Sequence, residues 1–295
     1  MDTNEAITLA GNYLKTLSGH TFDILNISKP SDVDTAVNLS KVISKLSPLV
    51  GNLIEFETVK FLNTISEFNS LGKWVRQDPG FPDAIFNGGI FPTPGFEIKA
   101  WFPLATEITA RFKDSQNHFQ HDQTYVVMLA WLPEFLIYGK PKIIDVCIVS
   151  GLSVAKARDN HYHKPPDYLV MEPQDTSGRT QNLQQTNTNG FKFQGTPEAK
   201  LKAAQVVESW GVSGNIYLPD PAYQSKLQEL IGQFTYRGDT NFAKMDRIVH
   251  SEIETFKTSV LNSNFCGKSI DQWRDHINAS NENIIQSDLK NFLDL

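Results

Sequence analysis

"PDAIFNGGIFPTPGFEIKAW", residues 82–101, decides the fold, because it reads as two strands joined by a loop rich in glycine and proline. "DAIF", the glycine turn at Gly88–Gly89 and "FEIKAWF" predict a hairpin with a long connection. Alternation along "GFEIKAWF" sends Phe96, Ile98 and Ala100 to one side and Glu97, Lys99 and Trp101 to the other. Glu97 and Lys99 are then neighbours, about 6–7 Å apart along the strand. If Asp83 opens the partner strand, it reaches the same face. Charges on an apolar strand are costly unless something pairs them. Two readings follow: a wet face with a surface ion pair, or three charges arranged around a metal ion and a phosphate.

Upstream, the periodicity predicts helices. Residues 4–17 place Ile7, Leu9, Ala10, Tyr13, Leu14 and Leu17 broadly on one side. Ser31 with Asp34 marks a second helix start, and Val37, Val42, Ile43 and Leu46 continue it to Pro48, which stops it. "LVGNLIEFETVKFLN", Leu49 to Asn63, predicts a third helix, apolar nearly all round and therefore buried.

Downstream, Thr124–Leu132 and Lys142–Val149 are dense in β-branched residues and predict buried strands, with "PEFLIYGKP" as punctuation between them. A short helix in "SGLSVAKARDNHYH" and a strand in "DYLVME" follow. Residues 174–194 are crowded with Asn, Gln, Thr and Ser and read as a long polar arm. After Pro197 the pattern is helical again, with "NFAKMDRIVHSEIETFKTSVL" as the longest candidate. The expected fold class is α/β (α+β), a central mixed sheet flanked by helices. The expected organisation is a helical region over 1–48, a core over 49–195 with the arm near 174–194, and a helical region over 196–295; the three can form one compact domain.

A chain of 295 residues with 40% apolar content can bury a sizeable core. Cys147 and Cys266 lie far apart without zinc-ligand spacing, which argues against a disulfide framework and fits a reducing, cytoplasmic setting. No signal-peptide pattern and no apolar run near the roughly 18 residues of a membrane span is present, so no membrane partner is expected. A net charge of −6 counts against simple polyelectrolyte binding of nucleic acid. A DNA reader with this balance must gather its basic residues in a cleft or use its acids as metal ligands.

Asp83 and Glu97, held together, form a hard oxygen site suited to Mg²⁺, which takes one or two carboxylates and fills its other positions with water and phosphate oxygens. Such an ion activates water and stabilises charge building on phosphorus, and a lysine beside it offsets developing negative charge. In the arm, Arg179, Gln181, Asn182, Gln184, Gln185, Asn187, Asn189 and Lys192 suit contacts to bases and phosphates, Asn and Gln pairing with adenine and Arg with guanine; the alternative is a solvated loop. Arg111 and Lys113 suit contacts to the phosphate backbone, or a surface role. The histidine pairs His118/His121 and His161/His163 lack further ligands and read as polar loop residues.

The spacing Pro82–Asp83, thirteen residues, Glu97–Ile98–Lys99 resembles the PD-(D/E)xK nucleases. Val50 to Glu55, "VGNLIE", is similar to the Gly-x-x-x-Glu helix of MutH-type mismatch-repair and restriction nucleases. The resemblance spans roughly residues 48–102. It implies Asp83 and Glu97 as metal ligands, Lys99 as the catalytic lysine and Glu55 as the helix acid. Glu57 is the rival for that last role, since it sits within the apolar stripe of Val50, Leu53, Ile54, Phe61 and Ile65. The family implies a restriction-endonuclease-like core and a type II restriction endonuclease cutting double-stranded DNA with Mg²⁺. A homodimer on a palindromic site and a cognate DNA methyltransferase in the same system are further expectations. The alternatives are a structure-specific repair or recombination nuclease and a non-catalytic DNA-binding protein on a nuclease-like core.

Overall fold

The structure, a computed structural model, describes residues 1–77, 80–104, 119, 121–163, 172–173, 191–193, 196–212, 214, 216–217, 220–233, 236–238, 250–279 and 281–294. It divides into two units, 1–158 with 245–295 and 159–244. The first unit has an α+β architecture, a five-stranded mixed sheet flanked by helices, as the sequence predicts. The strands β1 (Gly72–Arg76), β2 (Ala84–Gly88), β3 (Gly95–Trp101), β4 (Thr124–Phe135) and β5 (Tyr138–Ser150) lie side by side in chain order. β3 and β4 run parallel and the other neighbours antiparallel.

Helix α1 (Thr3–Lys15) starts in a capping box between Asp2 and Glu5 and buries Ala6, Ile7, Ala10 and Leu14. Helix α2 (Val33–Val42) is capped by Asp32, which accepts from the Thr35 N–H at 2.8 Å. Ser31, read as the start signal, instead donates to Asp32 at 2.9 Å. Pro48 does not stop this helix. A 3-10 turn over Ile43–Leu46 intervenes, and Pro48 lies in the first turn of α3 (Ser47–Leu62), where its missing N–H costs nothing. Nor is α3 buried all round. Val50, Ile54, Thr58, Val59 and Leu62 face the core, while Leu49 and Phe56 are exposed.

The α3 face of the sheet is aromatic: Trp74 packs on Phe68, Phe86 and Phe96 with ring centroids 5.1 to 5.7 Å apart. Trp101, of opposite parity on β3, meets Phe256 of α7 (Ser251–Asn262) at 5.9 Å. Strands β4 and β5 extend through the stretch read as punctuation. Pro133 and Pro141 are cross-strand partners, and Leu136 turns the chain with φ 64°. The start of β5's outer edge, Gly139 to Ile143, is paired by residues 19–27, through Gly19 N to Ile143 O and Ile27 N to Gly139 O. The expected long helix over Asn241–Leu261 begins, among the described residues, only at Ser251, with His250 preceding it. Helices α8 (Ile270–Asn278) and α9 (Glu282–Leu293) complete the unit, tied by Asp288, which accepts from Lys268 at 3.2 Å and bonds His276.

The second unit contains part of α4 (Gly151–His163), then α5 (Pro197–Glu208) and α6 (Pro221–Gln233). Its strand pairs are β6 (Glu172–Pro173) beside β8 (Ile216–Tyr217) and β7 (Phe191–Phe193) beside β9 (Tyr236–Gly238). The polar arm therefore ends in a strand, and residues 174–190 lie outside the described residues. No helix among the described residues is long and apolar enough to cross a membrane.

Strand β1 is an edge, and Asn63 at the end of α3 closes part of it. Its amide accepts from Trp74 N and donates to Trp74 O, both at 2.8 Å. Asn63→Ala strands two part-buried backbone groups. Urea unfolding is expected to show a loss of about 1–3 kcal/mol.

Candidate active site

The site is built where β2 and β3 separate. Their ladder has only two pairs, Ala84 with Phe96 and Ile85 with Gly95. A Cβ on Gly95 would lie 2.6 Å from Cγ of Pro82, so glycine lets the chain cross just before Asp83. Beyond Ala84 the side chains take over the pairing. Asp83 Oδ2 accepts from Ile98 N at 2.7 Å, and Asp83 N donates to Glu97 Oε2 at 3.3 Å. Lys99 Nζ lies 3.2 Å from Asp83 Oδ2 and 2.5 Å from Glu97 Oε1. The three side chains are 16%, 11% and 22% exposed for Asp83, Glu97 and Lys99, which removes the reading of a wet strand with a surface pair.

Burial shapes the electrostatics. It pushes the Glu97 carboxyl above its usual range; the Lys99 charge and hydrogen bond oppose that push, and Asp83's charge adds to it. Burial works the other way on Lys99, favouring the neutral amine, but Glu97 and Asp83 outweigh it and the net shift is upward. Lys99 is thus an ammonium at neutral pH, a cation rather than a proton acceptor.

Glu55 joins this group from α3. One turn earlier, α3 packs on β3 at Gly51, where a Cβ would sit in ordinary contact, 3.6 Å from Cβ of Ala100. Glu55 Oε1 lies 2.6 Å from Arg76 Nε. Burial raises the Glu55 pKa against the Arg76 hydrogen bond; Asp83's charge raises it further, and those of Arg76 and Lys99 lower it. Glu55 is therefore within electrostatic reach of the β3 charges. Glu57, the rival, pairs with Lys60 on its own helix at 2.8 Å, and Lys60 is 57% exposed.

The end of strand β1 and the residue after it supply what the sequence reading lacked. Arg76 holds Glu55, and Gln77 donates from its backbone to Asp83 O at 2.8 Å and from Nε2 to Pro82 O at 2.9 Å. The available signal was the alternation in "GKWVR", with an arginine on the same face as a core tryptophan. Of the residues assigned to DNA contact, Arg111, Lys113, Arg179, Gln181, Asn182, Gln184, Gln185, Asn187 and Asn189 lie outside the described residues. Lys192 is in β7, opposite Arg237, in the second unit.

No group of three or more His, Cys, Asp or Glu among the described residues is placed to hold a metal ion. Asp83 and Glu97 do fit Mg²⁺. Both carboxylates reach one ammonium, so one cation can share them, and Mg²⁺ needs no more than two from the protein. Cys147 and Cys266 are unpaired, their thiols pushed by burial to about 12 and about 11.

No family model, curated protein or solved structure matches the chain.

Lys99 restrains the rise of the Glu97 pKa, so Lys99→Met should raise it further, read by carboxyl-carbon NMR titration. A carboxyl with a raised folded pKa binds protons more tightly when folded. The Glu97 contribution to stability should be fully present below the ordinary carboxylate range and be lost as pH rises through the raised value, the loss being larger in Lys99→Met than in the wild type.

Proposed function

We propose that the chain is a type II restriction endonuclease of the PD-(D/E)xK superfamily, hydrolysing phosphodiester bonds of double-stranded DNA with Mg²⁺. The observation that carries this reading is the convergence of Asp83, Glu97 and Lys99, from two strands, into one mostly buried cluster of charges. Buried charges are expensive, and such a cluster is a common mark of a functional site. Asp83 and Glu97 would hold the ion. When bound, it supplies an activated water and stabilises charge on phosphorus. Lys99, kept cationic by its carboxylate neighbours, orients that water and offsets the charge on the phosphoryl oxygens. Glu55 stands beside them on α3.

The amide-rich composition of residues 174–194 favours base-specific reading over recognition of DNA shape alone. With one such cluster among the described residues, each chain would cut one strand, so the working form on a palindrome is a homodimer. A cytoplasmic enzyme of this kind operates with a DNA methyltransferase that protects the host's own sites.

The test is incubation of the purified protein with phage DNA and Mg²⁺. Discrete fragments are expected, vanishing with EDTA and reduced at least about 10²-fold by Lys99→Ala. Smears or cuts confined to branched substrates would transfer the reading to a structure-specific nuclease. Sequence-specific binding without cleavage would identify a non-catalytic DNA-binding protein. Cleavage indifferent to Lys99→Ala would sink the assignment.

A further inference from the structure

We propose that Arg76 stands in for a second metal ion at Glu55, so that each site takes up a single divalent cation. The inference rests on the nuclease reading of the same site. Arg76 ends β1 directly opposite Ala84, next to Asp83, and its guanidinium meets Glu55 at 2.6 Å with both side chains mostly buried. Among the described residues, Glu55 pairs with Arg76 while Asp83 and Glu97 share Lys99, so three carboxylates stand against two built-in cations, with one net negative charge.

That charge count suits a single ion. Without any metal the cluster repels a phosphodiester. One divalent cation reverses the sign by one unit, and the single negative charge of the diester then brings the sum to zero. A second divalent ion would leave an excess of positive charge among buried groups. It would also have to displace a guanidinium from the carboxylate oxygen it needs as a ligand. The position of Glu55 agrees with this, for it does not complete a three-carboxylate ligand group with Asp83 and Glu97. Its carboxylate is committed to Arg76 rather than aimed at the ion that Asp83 and Glu97 would share. Arg76 is thus a positioning residue, acting on the metal site through Glu55.

Removing the guanidinium exposes the alternative. In Arg76→Gln the cluster gains a second net negative charge, and Glu55 becomes a buried carboxylate without its cation, which is what a second ion would bind. Arg76→Lys keeps the charge and keeps the single-ion state.

The experiment is titration of the full chain with Mn²⁺ alone, followed by calorimetry and by paramagnetic resonance of the free ion. The wild type is expected to bind one ion per chain, with uptake abolished in Asp83→Asn. Arg76→Gln should bind two, Arg76→Lys one, and the double variant Arg76→Gln/Glu55→Gln one again. Circular dichroism and urea unfolding report whether each variant is folded. Two Asp83-dependent ions in the wild type would overturn the proposal, as would a folded Arg76→Gln chain that still takes one. Uptake of no ion, or uptake unaffected by Asp83→Asn, would instead remove the nuclease reading on which the proposal rests.

Discussion

The rest of the site depends on the hydrogen bond from Ile98 N to the Asp83 carboxylate, 2.7 Å long, at the point where two strands part. The β2–β3 ladder lasts only two residue pairs, so backbone pairing alone does not fix where Asp83 lies. The carboxylate extends the pairing by one step, taking an N–H on β3 while Asp83's own N–H reaches back to Glu97. These reciprocal bonds set the register of two acids and a lysine within one cluster. A neutral side chain would make a weaker bond and draw no ammonium, since charge-assisted hydrogen bonds are roughly twice as strong as neutral ones. The group that terminates the ladder is thus the group that assembles the chemistry.

Around this fork, β1 works as a brace. It is tied to α3 twice, by Asn63 bonding Trp74 and by Glu55 bonding Arg76. The residue that follows it, Gln77, bonds the Pro82–Asp83 segment twice more, through its backbone and its side chain. The aromatic layer of Phe68, Trp74, Phe86 and Phe96 fills the space between α3 and the sheet. A shift of α3 would be felt at Asp83 through bonds that run along β1 and through Gln77, the residue that follows it. Packing thus sets the geometry of charges that by themselves favour solvent.

The strongest periodicities were legible in the sequence. The alternation of β3 correctly sorted Phe96 and Ile98 from Glu97 and Lys99, and the apolar run of α3 marked a helix to within two residues at its start. Weaker signals failed for identifiable reasons. β1 offers only a five-residue alternation, a faint period, so Arg76 and, just past its end, Gln77 escaped notice. Ser31 and Asp32 are adjacent and both suit an N-cap, and only the geometry shows which one faces Thr35. Pro133 and Pro141 read as breakers, yet they sit opposite each other beside a register shift where the ladder is already irregular. A helical wheel could not show which of Glu55 and Glu57 reaches across to the sheet, because Glu55's partner, Arg76, comes from a strand the wheel does not contain.

The charge balance of the cluster links these details to the whole chain. An acidic protein repels DNA at long range, so close approach of a phosphate needs a local reversal of sign. Lys99 does not supply it alone, because it is neutralised by the two carboxylates that also keep it protonated. Arg76 does not supply it either, being committed to Glu55. On the nuclease reading, the missing positive charge must come from an ion. The internal cations then have a different task. They hold three mostly buried carboxylates close together before that ion arrives, so that the ion meets a preorganised site.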